Sequence, residues 1–247
     1  MMSYLGIDIG GSGIKGALVD VETGQLLTER RRLPTPEKAK PNDCAEVVRE
    51  LVLDFEYTGV IGCGFPAVVQ PGVAKTAANV HENWIGTNIN LLINEVTGCR
   101  TYALNDADAA GMAEMAFGAG CNANRGVVSV ITLGTGIGTA LFNDGQLVPN
   151  TEFGHMKIRD KDAETRASDA ARQRKEMTWK KYGARLSEYL TEVENLFWPD
   201  LFIIGGGVSK KADEFFPMLK IRTKIVPAQL LNQAGIVGAA VYASQQA

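Results

Sequence analysis

Short apolar runs separated by turn residues dominate the first half of the chain. Runs rich in β-branched and aromatic residues predict strands, which cover residues 4–9, 14–20, 25–33, 60–63 and 101–104. Apolar residues recur at helical spacing over 43–55, and a second helical segment follows at 107–117. Strands joined by helices indicate an α/β fold.

The same pattern begins again in the second half. Strands are predicted at 127–133, 137–142 and 201–204, and each of them ends at or beside a glycine or a turn. A long polar helix is predicted over 163–197, with a break near Gly183. A small apolar helix is predicted near 235–244.

The two halves contain an internal repeat. Residues 11–20 align with residues 134–143, and five of the ten positions are identical. Glycine-rich turns can match by chance, but this match continues into Ile, Ala and Leu, which favours two lobes of similar topology. We expect a smaller lobe from residues 1–105 and 235–247, and a larger one from 106–234, with a central cleft into which the two glycine turns face.

The composition disfavours several classes of protein. The chain has 25 basic and 28 acidic residues, a net charge of -3 that argues against a dedicated nucleic-acid binder. The four cysteines form no C-x-x-C pair, which indicates reduced thiols in a cytoplasmic protein. We see no signal peptide and no apolar run of membrane-spanning length, so we expect no membrane association.

The glycine turns are candidate phosphate-binding loops, because such loops bring backbone N–H groups close to an anion. A tight hairpin explains each turn alone equally well. Neither turn fits a P-loop, and the first is followed by a strand, which disfavours a dinucleotide fingerprint. The candidate phosphate ligands are Gly10, Gly11, Ser12, Gly13 and Lys15 in the first half and Gly134, Thr135 and Gly136 in the second, with a third glycine run at Gly205, Gly206 and Gly207.

Several polar residues near strand ends are candidates for chemistry. Asp8 precedes the first glycine turn and can hold Mg²⁺ beside a phosphate, or cap the turn. Asn105 and Asp106 follow a predicted strand, so Asp106 can act as a general base while Asn105 orients a sugar, or both can cap the next helix. Glu152 and His155 can bind neighbouring sugar hydroxyls, or lie incidentally in a surface loop.

Five of these motifs, in this order, resemble the ROK family of sugar kinases in the actin/hexokinase superfamily. They are Asp8 to Lys15, Leu104 to Ala109, Leu133 to Gly138, Glu152 to His155 and Ile204 to Val208. The resemblance covers roughly residues 4–243. It implies a two-lobed, actin-like (ribonuclease H-like) ATPase fold, Asp106 as catalytic base, and Asn105, Glu152 and His155 as sugar ligands.

More narrowly, the chain is similar to the polyphosphate glucokinase branch of that family, in segments 65–69, 76–84 and 161–168. This implies glucose as acceptor, inorganic polyphosphate or ATP as donor, and, by analogy, a homodimer. Asn79 is a further candidate sugar ligand. No cysteine follows Cys121, so the zinc motif of many family members is lacking and no structural zinc is expected. Glu164 is the candidate replacement for a sugar-binding glutamate near that motif.

A basic stretch extends from Arg166 to Arg185, with seven basic and two acidic residues. It is either a solvated helix face or a track for a polyanion such as polyphosphate. Two other functions remain open. One is a strictly ATP-dependent ROK hexokinase, with Gly205, Gly206 and Gly207 at the nucleotide. The other is a non-catalytic sugar sensor, which the retained Asp106 argues against.

Overall fold

The computed structural model describes residues 2–78 and 80–247. The strands are, in chain order, β1 (Ser3–Ile9), β2 (Ile14–Asp20), β3 (Arg31–Leu33), β4 (Ile61–Phe65), β5 (Thr101–Asn105), β6 (Val127–Leu133), β7 (Ile137–Asn143), β8 (Gln146–Val148), β9 (Lys157–Ile158), β10 (Lys161–Asp162), β11 (Leu201–Gly205) and β12 (Lys224–Pro227). The helices are α1 (Pro41–Asp54), α2 (Ile89–Thr97), α3 (Asp106–Phe117), α4 (Glu164–Ala167), α5 (Asp169–Arg174), α6 (Trp179–Phe197), α7 (Ala212–Phe215) and α8 (Ala234–Gln246).

The chain divides into two compact units. Unit 1 comprises residues 1–117 and 233–247, and unit 2 comprises residues 118–232. The boundary falls after α3, whereas the sequence suggested a division after Asn105. The physical reason is that α3 packs on α8, and a Cβ at Gly238 would overlap the Ala109 carbonyl. So close an approach of two helix backbones places α3 in unit 1.

Unit 1 is built on a five-stranded mixed sheet in the order β3-β2-β1-β4-β5. The strands β1, β2 and β3 pair antiparallel, and β4 and β5 continue the sheet in parallel with β1. Its core combines the apolar residues of the sheet with those of α1 and α2, around the fully buried Trp84. The parallel strands end at one edge, which is where ligands bind in α/β sheets.

Unit 2 repeats this arrangement with the order β8-β7-β6-β11-β12. Its first three strands pair antiparallel, and β11 and β12 are parallel to β6. The repeat in the sequence is therefore confirmed as a repeat of sheet topology. The core of unit 2 lies between this sheet and α6, where Tyr182, Leu186, Tyr189, Leu190 and Val193 are all fully buried.

The predicted long helix over 163–197 is wrong in detail. It is three helices, α4, α5 and α6, and the break before α6 lies at residues 175–178. Glu176 has a positive φ of 46°, and the Thr178 side chain caps α6 by accepting the Lys181 N–H at 3.3 Å. Gly183, where the break was predicted, lies inside α6 and is buried against Met218.

Other elements also differ from the sequence expectation. Only residues 31–33 of the predicted strand 25–33 are a strand, and α2 and β12 were not predicted. In the described residues, no helix combines the length and the hydrophobicity needed to cross a bilayer.

Candidate active site

The first glycine turn joins β1 to β2 in unit 1. The Gly10 N–H donates to the Gly13 carbonyl at 3.1 Å, which closes the turn. The Thr35 hydroxyl donates to the Gly10 carbonyl at 2.5 Å, and the Arg32 guanidinium donates to the Ser12 carbonyl at 2.7 Å. Gly11 and Ser12 are exposed. The turn is thus fixed from outside its own hairpin, with its tip open to a ligand.

A row of charged residues crosses the sheet beside this turn. Asp8 lies opposite Lys15, and Lys15 lies opposite Arg32, in the register of β1, β2 and β3. The Lys15 ammonium donates to an Asp8 carboxylate oxygen at 3.0 Å, and both side chains are partly buried. Gly235, in the first turn of α8, packs against the Asp8 carboxylate. The N-terminal end of α8 therefore lies beside the Asp8 carboxylate.

Asn105 and Asp106 lie where β5 ends and α3 begins. The buried Asn105 side-chain oxygen accepts the N–H groups of Ala107 and Asp108 at 2.9 and 3.0 Å, and its amide donates to the Ala67 carbonyl at 3.1 Å. Asn105 is therefore the N-cap of α3 and one amide hydrogen remains for a further partner. Asp106 follows as a half-buried residue in the first turn of α3, where the helix dipole favours a carboxylate.

The second glycine turn joins β6 to β7 in unit 2. The Gly134 N–H donates to the Gly136 carbonyl at 3.1 Å, and Gly134 and Thr135 are exposed. The third glycine run packs beside it. Gly206 has a positive φ of 83°, and a Cβ there would overlap the Leu133 backbone that leads into the turn. Gly205 ends β11, and Gly207 begins a 3₁₀ helix with open space where a Cβ would lie.

The predicted sugar ligands of unit 2 gather at this second turn. A Glu164 carboxylate oxygen accepts the Ile137 N–H at 3.4 Å and would overlap a Cβ on Gly136. The His155 Nε2 lies 3.9 Å from a Glu152 carboxylate oxygen. Burial raises the pKa of Glu152, His155 opposes that rise, and the charge of Glu164 adds to it. Glu152, His155 and Glu164 therefore share one electrostatic environment.

Two glycine contacts explain how the Glu-Phe-Gly-His segment reaches the turn. A Cβ at Gly154 would overlap the Ile137 carbonyl, so the segment crosses the start of β7 at backbone distance. Phe153 anchors it by stacking on Phe197, with ring centroids 4.4 Å apart. In this motif Phe153 anchors the segment and Gly154 permits the close backbone contact, and the polar residues Glu152 and His155 flank the two.

One group of potential metal ligands occurs in the described part of the chain. His155, Asp162 and Glu164 place one ligand atom each within 4.8 Å of one another. His155 Nδ1 lies 3.3 Å from an Asp162 oxygen, and Lys157 forms an ion pair with the same carboxylate. Because Lys157 already balances that charge, this group fits a hydrogen-bonding role toward hydroxyls better than a cation site.

Asp8 fits a divalent cation better. Mg²⁺ is usually held by one or two carboxylates together with substrate phosphates and water. Asp8 offers one such carboxylate, 18% exposed, directly before a turn with exposed backbone. The Lys15 contact recorded for it involves a single oxygen, Oδ2.

Comparison with known proteins identifies the family. The sequence model of the ROK family matches residues 4–168. The chain belongs to the ROK family. Its curated relatives include the polyphosphate glucokinase of Mycobacterium tuberculosis (strain ATCC 25177 / H37Ra), 50% identical over 96% of this chain and 89% of the relative.

Solved structures agree with this ROK assignment. The inorganic polyphosphate/ATP-glucomannokinase of Arthrobacter sp. strain KM matches with a TM-score of 0.95 and 48% identity over all of both chains. A ROK family glucokinase from Streptomyces griseus, solved with glucose and AMPPNP, matches with a TM-score of 0.84 and 24% identity over 99% of this chain and all of the other. The expected actin-like ATPase fold is therefore confirmed.

Three features of this ROK protein add to or limit the predicted site. Asn79 lies outside the described residues. Arg32 was missed, because its contact with Ser12 depends on the pairing of β3 with β2. Asp162 was also missed, although it lies between two predicted ligands in the sequence and bonds to His155. An acidic residue two positions before Glu164 was the only available signal.

Proposed function

We infer that the protein is a cytoplasmic glucokinase that transfers a phosphoryl group from inorganic polyphosphate to the 6-hydroxyl of glucose. The observation that carries this proposal is the 50% identity to a polyphosphate glucokinase over 96% of the chain. The site geometry supports it, since a carboxylate at a helix start, polar sugar ligands and glycine turns are the components of phosphoryl transfer to an alcohol.

Asp106 is the proposed catalytic base. As the glucose 6-hydroxyl oxygen bonds to the terminal phosphorus, the bond from that phosphorus to the bridging oxygen breaks, and Asp106 receives the hydroxyl proton. The products are glucose 6-phosphate and a polyphosphate shorter by one unit. Asp106 lies in the first turn of α3, directly after Asn105. Asn105 holds that turn and donates its remaining amide hydrogen to the sugar.

The proposed sugar ligands of unit 2 are Glu152, His155 and Glu164. Asn79, from the sequence range of unit 1, is a further proposed sugar ligand. Carboxylates accept hydrogen bonds from hydroxyls, and an imidazole can donate or accept. The Asp162 contact at 3.3 Å orients the His155 ring, which leaves Nε2 on the side of Glu152 and available for a hydrogen bond to a sugar hydroxyl. Burial of Glu152 strengthens each hydrogen bond that it makes to a hydroxyl.

The proposed donor ligands are the exposed glycine turns. Gly10, Gly11, Ser12 and Gly13 offer backbone N–H groups beside Lys15, and Gly134, Thr135 and Gly136 offer a second set. Asp8 is the proposed Mg²⁺ ligand. Bound Mg²⁺ would neutralise charge on the transferred phosphoryl group.

ATP is a second candidate donor, because the Arthrobacter relative is named a polyphosphate/ATP enzyme. Gly205, Gly206 and Gly207 would then contact the nucleotide.

Coupled assays of glucose 6-phosphate formation test the proposal. Polyphosphate and ATP are supplied separately, and Mg²⁺ is present or chelated. We expect polyphosphate to support turnover that is lost on chelation. Turnover with ATP and none with polyphosphate would contradict the proposed donor. Sedimentation of the same preparation tests the proposed homodimer.

A further inference from the structure

A cluster of positive charges surrounds Lys175, in the short loop between α5 and α6. The Lys175 ammonium donates to the Thr165 carbonyl at 2.6 Å, and the Arg185 guanidinium reaches the next carbonyl, of Arg166, at 3.5 Å. Partial burial lowers the pKa of Lys175, and positive charges around it lower the pKa further. These charges belong to Arg185, Arg174, Lys161 and Arg166, and we call the five residues the basic cluster.

The acidic residues of this region leave most of the basic cluster uncompensated. Asp169 bonds to Arg172 and Gln173, and Glu188 bonds to Arg159 and Arg166. Arg166 therefore shares one carboxylate with Arg159. Within residues 2–78 and 80–247, the ion pairs include none formed by the other four cations, Lys161, Arg174, Lys175 and Arg185. Like charges held this close repel one another, and a bound anion relieves that repulsion.

The same short segment connects the basic cluster to the second glycine turn. The Ala170 N–H, in α5, donates to the Gly134 carbonyl at 3.0 Å. Glu164, at the start of α4, contacts Gly136 and bonds to the Ile137 N–H. The cluster is bonded to the carbonyls of Thr165 and Arg166, within the same four-residue helix. One turn of helix, about 6 Å long, thus separates the glycine turn from the first cations.

We propose that the basic cluster is a distal subsite for the internal phosphates of a polyphosphate chain. This rests on the proposed function, in which the terminal phosphates lie at the glycine turns. A long linear polyanion extends past the turn and over α4 and contacts several cations of the cluster, whereas tripolyphosphate, with only three phosphates, reaches the nearest cation at most. The subsite therefore favours long donors over short ones through charge, without contacting the transferred group.

The test compares a double variant, Arg174→Gln with Lys175→Gln, with the control Lys224→Gln, which removes an exposed cation from β12 of the same unit. We expect the KM for long-chain polyphosphate to rise about tenfold at low salt, because two phosphate contacts are lost. The slope of log KM against log salt should fall by about 0.7 for each contact. The KM values for tripolyphosphate and glucose should stay within twofold of wild type, and Lys224→Gln should change none of them.

Three results would overturn the subsite and leave the proposed function standing. In the first, wild type uses polyphosphate and the double variant keeps its KM and salt slope. In the second, the KM for tripolyphosphate rises as much as that for the long chain, which would indicate a disturbed glycine turn. Displacement of fluorescent polyphosphate by single-stranded DNA of equal charge would show a general polyanion surface and would also overturn it. If wild type itself neither binds nor uses polyphosphate, subsite and function both fail.

Discussion

The two glycine turns occupy equivalent places in equivalent sheets, but different side chains hold them. In unit 1 the turn is contacted by cations, since Arg32 bonds to Ser12 and Lys15 pairs with Asp8 beside it. In unit 2 the turn is contacted by a carboxylate, since Glu164 lies against Gly136, with Glu152 nearby. The two turns thus have similar backbones, but the side chains that contact them carry opposite charges.

The two turns are also fixed in different ways. Side chains of Arg32 and Thr35 bond to the carbonyls of the first turn. Backbone contacts through Gly154 and Gly206 enclose the second turn, where any larger residue would overlap Ile137 or Leu133. The comparison suggests that nearby cations favour phosphate at the first turn, whereas the second turn offers its backbone N–H groups from a rigid segment that also positions the proposed sugar ligands.

Exchange of the two key carboxylates for amides should give the largest and most distinct effects. Asp106→Asn in unit 1 removes the proton acceptor, so kcat should fall about 10²- to 10⁴-fold while the Kd of glucose changes little. Glu152→Gln in unit 2 keeps size and removes the charged acceptor, so glucose Kd should rise about tenfold with kcat less affected. Calorimetric glucose binding and initial rates measure both.

The opposite results would contradict the roles assigned to Asp106 in proton transfer and to Glu152 in glucose binding. If Asp106→Asn retained near-normal kcat, the base would have to be another group. If Glu152→Gln lowered kcat without weakening glucose binding, unit 2 would take part in the chemical step. Asp160→Asn is a suitable control, because this exposed aspartate lies between the two short strands β9 and β10.

The rigidity of the second turn can be tested through protein stability. Gly154→Ala places a methyl group on the Ile137 carbonyl, so the backbones must separate, and we expect a loss of about 2–3 kcal/mol. Gly134→Ala is the matched control, since no heavy atom of the described residues, apart from its chain neighbours, lies within 4 Å of its Cβ position. Urea unfolding, followed by tryptophan fluorescence, measures both. Equal stability of the two variants would show that the close approach does not fix the turn.

Strand positions were predictable because buried β-branched runs ending at glycine have few alternative structures. The strand β6 was predicted with its observed bounds, and the hairpin repeat followed from matched residues in both halves. The break at 175–178 was not predictable from Gly183, because a buried glycine fits helix packing wherever another backbone approaches. The actual signal was Thr178, a capping residue that also occurs in loops.

In the candidate site, contacts between residues close in sequence were predictable, whereas contacts between distant residues were not. Asn105 as a cap is a local property, and the sequence already offered that interpretation. The contact of Arg32 with Ser12 joins residues twenty positions apart. This contact depends on the register between β2 and β3. Because β3 has only three residues, its local sequence does not specify that register. Likewise, nothing local to Glu164 indicates that it lies on Gly136.

The smallest expected effects test the charge difference between the turns directly. Arg32→Ala should raise the KM for polyphosphate by roughly tenfold and leave the Kd of glucose unchanged, because a cation at the first turn is lost.

Glu164→Gln should raise the Kd of glucose by roughly tenfold and leave the KM for polyphosphate unchanged. It should also lower the pKa of Glu152, because the charge of Glu164 now raises that pKa. Carbon NMR titration of the Glu152 carboxyl, with Glu192→Gln on the far part of α6 as control, measures that shift. If Arg32→Ala and Glu164→Gln affected both substrates equally, the opposite charges beside the two turns would have no separate roles.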